Sequence, residues 1–128
     1  MSYKKFPNYV ITWTDKYFHQ SAFDMPVKFP SKKVINYLAR FKKAGKIKLL
    51  RGINKYNKDN CAGVYSWTYD KKVALRYAKE LEGKVLEKTF LPEQIILDTT
   101  ILNQQERVSL GYDYSVDDKE VLIINKII

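Results

Sequence analysis

Two rhythms divide the chain. From Ser31 to Lys43 the apolar residues Val34, Ile35, Leu38, Ala39 and Phe41 recur at helical spacing, and Lys32, Lys33, Asn36, Arg40, Lys42 and Lys43 fill the remaining positions. Ser31 can accept bonds from the free amides of a first turn and Gly45 can end a last one, which predicts a helix over 31–44. Beyond residue 46 the runs shorten to strand length. Ile47 to Ile53, Val64 to Thr68, Val85 to Leu91, Ile95 to Leu97 and Lys119 to Ile127 read as strands. Turn-forming stretches at 54–61, 92–94 and 109–117 separate several of them. One helix interrupts the strands. Thr68 or Asp70 caps it, Val73, Ala74, Tyr77, Ala78 and Leu81 form its apolar face, and Gly83 stops it. Helices followed by a strand-dominated half predict the α+β class, in a single domain with an aromatic, helical part at 1–45 and a β core at 46–128.

Composition narrows the picture. The chain has 128 residues, 45% of them hydrophobic, which is enough for a core and too many for wholesale disorder. Its longest aliphatic run, Val121 to Ile124, is far short of the ~20 residues of a membrane-spanning helix. No apolar segment follows Lys4 and Lys5, so no secretory signal is expected. Residues 1–30 are aromatic and irregular; a short helix around 14–22 is predicted there, then an extended stretch through Met25-Pro26 and Phe29-Pro30. The single cysteine, Cys61, excludes an intramolecular disulfide and a cysteine-based zinc site. The net charge of +9 attracts polyanions without choosing among them. Nineteen of the 23 basic residues are lysines, which weakens any case for base-specific reading, the province of arginine.

Several familiar chemistries are missing. There is no phosphate-cradling glycine pattern, no HExxH and no metal-ligand set. The one histidine, His19, sits among Trp13, Tyr17, Phe18 and Phe23 and reads as structural; Cys61 reads as incidental. What remains is an ordered set on β segments: Arg51 with Gly52 behind it, Ser66-Trp67-Thr68 leading into a helix, and Asp118-Lys119-Glu120 opening the last strand. Each has an ordinary reading as surface charge, capping segment or solvated strand end.

Together, in this order, they resemble the arginine–serine–glutamate branch of the mono-ADP-ribosyltransferase family, which includes toxin and phage proteins. The matching text is Leu49-Leu50-Arg51-Gly52-Ile53, Gly63 through Ala74, Gly83-Lys84-Val85-Leu86, Leu91 through Leu97 and Asp118 through Ile123. It covers residues 46–128 and leaves residues 1–30 unexplained. The resemblance implies a curved, mainly antiparallel β core that brings Arg51, Ser66 and Glu120 to one cleft. It implies NAD as donor substrate and no metal. Glu120 would stabilise the positively charged ribose, Ser66 would orient Glu120, and Arg51, with Gly52 and Thr68 beside it, would hold the NAD phosphates. Tyr65 and Trp67, facing the other way, are expected in the core. Where many arginine-modifying members carry a glutamate two residues before the catalytic one, this chain has the shorter Asp118, expected on the same strand face as Glu120. The loop before it holds the place of the family's substrate-recognition loop. There Tyr112, Tyr114 and Asp118 are candidates for acceptor contact, or the segment is a hairpin loop of turn-forming residues.

The expected activity is thus cleavage of the nicotinamide–ribose bond and transfer of ADP-ribose to a protein side chain, with NAD hydrolysis as a variant. The alternatives are a non-catalytic inhibitor or binding module on the same fold, and a basic nucleic-acid-binding domain. The expected place of action is the cytoplasm of the producing or infected cell, with no membrane partner.

Overall fold

The computed structural model describes residues 6–20, 28–53, 63–79, 83–112 and 119–125. It is an α+β domain. In chain order the elements are α1 (Asn8–Gln20), α2 (Lys32–Leu38), β1 (Ile47–Ile53), β2 (Gly63–Thr68), α3 (Lys71–Lys79), β3 (Lys84–Phe90), β4 (Ile95–Asp98), α4 (Gln104–Ser109) and β5 (Glu120–Asn125). Short 3-10 turns at Pro92–Gln94 and Thr99–Ile101 flank β4. Among the described residues no helix is long and apolar enough to cross a membrane.

The strands form one antiparallel sheet in the order β3-β1-β2-β5-β4. Its two edge strands, β3 and β4, are joined by Leu91 to Gln94 alone. A flat five-stranded sheet is four spacings wide, about 19 Å. Five peptide steps cover at most about 17 Å when extended, and a 3-10 turn is shorter still. The sheet must therefore curl until its edges approach. The curl encloses Leu49, Tyr65, Trp67, Phe90, Ile95, Val121 and Ile123 on its inner face. Trp67 of the central strand meets Phe90 of the edge strand edge-on, with ring centroids 4.8 Å apart. The expected core positions of Tyr65 and Trp67 are thus filled.

The outer face is covered by helices. Val64, Leu97 and Leu122 pack beneath Phe6, Val10 and Tyr17 from the N-terminal part and Val34 and Leu38 of α2. Leu102 and Leu110, flanking α4, complete this cluster. On β1, α3 approaches so closely that a Cβ at Gly52 would collide with the Ala74 carbonyl oxygen.

Three helices depart most from the sequence-based expectation. The first helix starts at Asn8 rather than near 14, because the Pro7 carbonyl already accepts the Val10 and Ile11 amides at 3.0 and 3.1 Å. The second is capped as expected, by Ser31 from the Val34 amide, but ends at Leu38 rather than 44. There the Phe41 carbonyl is drawn away to the Asp98 amide of β4 at 2.8 Å. A fourth helix, α4, stands where none was expected. Asn103 and Glu106 close it with reciprocal side-chain bonds to each other's amides, both 2.8 Å.

Two substitutions test this packing. Leu38→Ala, at a fully buried position, is expected to lower the unfolding free energy by about 2–5 kcal/mol. Gly52→Ala is expected to cost about 1–3 kcal/mol or more, because backbone rather than a flexible side chain blocks the added methyl. Urea unfolding of both variants checks the pair.

Candidate functional site

The site forms where the sheet is least continuous. Strand β1 is paired with β3 along its whole length, from Ile47↔Phe90 to Ile53↔Lys84. Strand β2 is likewise paired with β5 from Gly63↔Asn125 to Thr68↔Glu120. Between β1 and β2, the described residues pair only at Leu50↔Thr68. Beyond that pair the two strands part, and their facing backbone groups need other partners. Arg51 supplies one. Its Nη1 donates to the Ser66 carbonyl oxygen at 2.7 Å, where a ladder amide would otherwise stand. The guanidinium also lies over the Tyr65 ring, 5.0 Å from its centre. At 4% exposure Arg51 is a buried, permanently charged group.

The parted seam leaves a small cleft under α3. Arg51, Gly52, Ser66 and Thr68 line it, with Ala74 and Tyr77 of α3 as its outer wall. Glu120 stands one strand further on, directly opposite Thr68, and is buried at 3% exposure. Its backbone is held by Thr99, whose Oγ1 donates to the Glu120 carbonyl oxygen at 2.6 Å. The Thr68 Oγ1 accepts the Asp70 amide at 2.9 Å. Asp70 Oδ1 in turn accepts the Lys72 amide, so Asp70 rather than Thr68 opens α3.

Arg51, Ser66 and Glu120 therefore sit on three adjacent strands, β1, β2 and β5, within a few residues of the Leu50↔Thr68 pair. They do not share one face. Directly paired residues point to the same side of a sheet, so Leu50, Thr68 and Glu120 lie together, and Ser66 with them. Arg51, next to Leu50, is rooted on the inner side with Leu49 and Tyr65, and reaches the seam from there. Arg51 and Ser66 thus meet in the cleft, while Glu120 lies beside it rather than in its wall.

The remaining candidates separate. Tyr112, expected on an exposed recognition loop, is buried at 6% exposure. Its ring meets Phe18 of α1 edge-on at 4.9 Å, with the Arg107 guanidinium on it, because α4 ends at Ser109 and turns the chain back into the core. Tyr114, Asp118 and Cys61 lie outside the described residues. His19 falls in the last turn of α1. Lys119 takes a left-handed φ of 48°, and β5 begins at Glu120. Among the described residues no three His, Cys, Asp or Glu side chains cluster as metal ligands.

Sequence reasoning missed a polar pair beside Glu120. Asp98, fully buried at the end of β4, accepts the Tyr69 hydroxyl at 2.6 Å through Oδ2. Through Oδ1 it accepts the Thr100 amide and hydroxyl at 3.0 and 2.5 Å. The only signal in sequence is an acid ending the run Ile95-Ile96-Leu97. Burial, and then the hydrogen bond and charge of Asp98, push the Tyr69 hydroxyl well above tyrosine's ordinary value near 10. A proton held more tightly in the folded than in the unfolded chain adds stability below pH ~10, and that stability falls as pH rises above it. Tyr69→Phe is therefore expected to flatten the loss of stability between pH 9.5 and 11.5, measured by urea unfolding at successive pH values.

No protein-family model, no curated protein and no solved structure matches this chain.

Proposed function

We propose that this chain is an NAD-dependent mono-ADP-ribosyltransferase with an ADP-ribosyltransferase-like fold, acting on a protein side chain as a toxin- or phage-type effector. The observation that carries the reading is the placement of an arginine, a serine and a glutamate on three adjacent strands around a parted seam. A surface charge or a capping segment needs no such arrangement. The distances suit a dinucleotide, whose phosphates and reacting carbon are well separated. Backbones two strands apart stand about 10 Å from each other, so Arg51 on β1 and Glu120 on β5 can serve different ends of one ligand.

In this reading the Arg51 guanidinium is the group that meets the NAD phosphates, because its planar fork can donate two parallel bonds to phosphate oxygens. The cleft itself, about 20 Å³, has room for little more than a water molecule, so in this reading the ligand lies along its mouth and touches it beside Arg51 and Ser66. The nicotinamide–ribose bond breaks with its electron pair passing to the ring nitrogen, which neutralises the pyridinium. The ribose is left as an oxocarbenium-like cation, and a carboxylate fixed by its strand stabilises it. The acceptor side chain then adds at the same carbon and gives up a proton. Asp118 is assigned to holding that acceptor from its place in the sequence motif.

Nicotinamide release on mixing the protein with NAD tests the reading. Glu120→Gln keeps the side chain's shape and removes its charge. It is expected to lower turnover by roughly a hundredfold or more while NAD still binds. Arg51→Lys keeps the charge and removes the planar fork, and is expected to raise KM more than it lowers kcat. No nicotinamide release by the wild-type chain, alone or with cell extract as acceptor, or equal turnover by Glu120→Gln, would overturn it.

A further inference from the structure

The excess of positive charge in this chain lies in one stretch. Residues 25–58 contain 11 Lys and Arg residues and no Asp or Glu; the rest of the chain has 12 basic and 14 acidic residues. The described part of that stretch, 28–53, holds α2 with its flanks and β1; around α2, Lys28, Lys32, Lys33, Arg40, Lys43 and Lys46 are all exposed. Three of these cations are held over rings rather than against carboxylates. Lys33 Nζ stands 4.1 Å from the centre of Tyr9, the Arg40 guanidinium 4.3 Å from Tyr37, and Lys43 Nζ 4.3 Å from Tyr69. Tyr9 and Tyr37 meet edge-on at 6.4 Å, so Lys33, Tyr9, Tyr37 and Arg40 form one continuous strip across α1 and the α2 segment. Two aromatic rings of this region are exposed, Tyr9 at 37% and Phe29, just before α2, at 42%.

We infer that this strip is a binding surface for single-stranded nucleic acid. A ring beneath a cation orients it without cancelling its charge, so the charge stays available to an external phosphate. Exposed rings among those cations give unpaired bases a surface to stack on. Five of the six exposed cations on and around the strip are lysines, which suits phosphate contact without base reading. A membrane surface fits less well. Val34 and Leu38 of α2 are turned into the core, and Ile35, partly buried, is too little to form an apolar stripe that enters a bilayer. An acidic protein would use the cations and leave the exposed rings idle. The inference does not depend on the NAD chemistry proposed above.

Fluorescence anisotropy with labelled single-stranded 12-nucleotide oligo(U) and oligo(dT) tests it. With about four phosphates engaged, log K should fall against log salt with a slope near −3, roughly a fiftyfold loss between 50 and 200 mM. Lys32→Ala/Lys33→Ala, at exposed positions, should reduce that slope by about 1.4. Tyr9→Ala should weaken binding roughly five- to a hundredfold with the salt slope unchanged. Lys71→Ala/Lys72→Ala removes the same charge from exposed positions on α3 and should change affinity less than twofold. Equal weakening by the α3 pair would overturn the inference in favour of diffuse charge attraction. So would tighter binding to a poly-glutamate peptide or to phosphatidylserine vesicles than to either oligonucleotide, or no oligonucleotide binding at 50 mM salt.

Discussion

Four residues tie the two edges of this sheet together, and the rest of the architecture answers to that tether. Leu91 to Gln94 is too short to cross a flat five-stranded sheet, so β3 and β4 are drawn toward each other. Curling concentrates Tyr65, Trp67 and Phe90 on the inside. The ladder is least continuous between β1 and β2, where Leu50↔Thr68 is the pair formed among the described residues. The tether is itself fastened: Lys42 Nζ, beyond the end of α2, donates to the Pro92 carbonyl at 2.7 Å. The segment that ends α2 early thus holds the link that bends the sheet.

A parted ladder leaves backbone carbonyls facing an apolar interior, where an unmet carbonyl costs about as much as a lost hydrogen bond. Arg51 answers the Ser66 carbonyl with a charged donor rather than an amide. Bringing a guanidinium to 4% exposure is costly on its own account, since its hydration is lost. The Tyr65 ring offsets part of that loss. An amide or a serine hydroxyl could satisfy the same carbonyl without burying a charge. The charged donor thus closes a gap in the ladder that no amide of β1 fills, at the border of the cleft.

Much of this was legible in sequence because the controlling signals are local. The strands announced themselves as short apolar runs, and Gly83 and the Thr68–Asp70 pair bracketed α3. Where the reading went astray, a long-range contact or an overlooked local one decided the outcome. The end of α2 is set by Asp98, 57 positions beyond Phe41, which no helical periodicity can reveal. The capping residues Asn103 and Glu106 were in plain view, but α4 is only six residues long, too short for a periodic apolar face to show. Tyr112 followed from the same omission: without α4 it belonged to a loop, and with α4 it is folded back onto Phe18. The face of Arg51 was hidden for another reason. Alternation along one strand says nothing about which side a neighbouring strand will present until the register, Leu50↔Thr68, is known.

The two anion-attracting features of the chain differ in a way that follows from burial. Arg51 acts inside a low-dielectric seam, where ions in solution screen weakly, whereas Lys32, Lys33 and Arg40 act at the surface, where a Debye length of about 8 Å at physiological salt damps them strongly. A phosphate gripped at the seam owes its affinity to geometry, since planar donors must meet its oxygens at fixed angles. A polymer held along the strip owes its affinity to counterion release and to stacking, neither of which demands a single pose. Residues 25–58 supply both kinds of cation from one stretch free of carboxylates, the helical part to the surface and Arg51 to the seam. Charge segregation along the sequence thereby becomes separation in space, with Arg51 buried at the seam and the cations around α2 left in water.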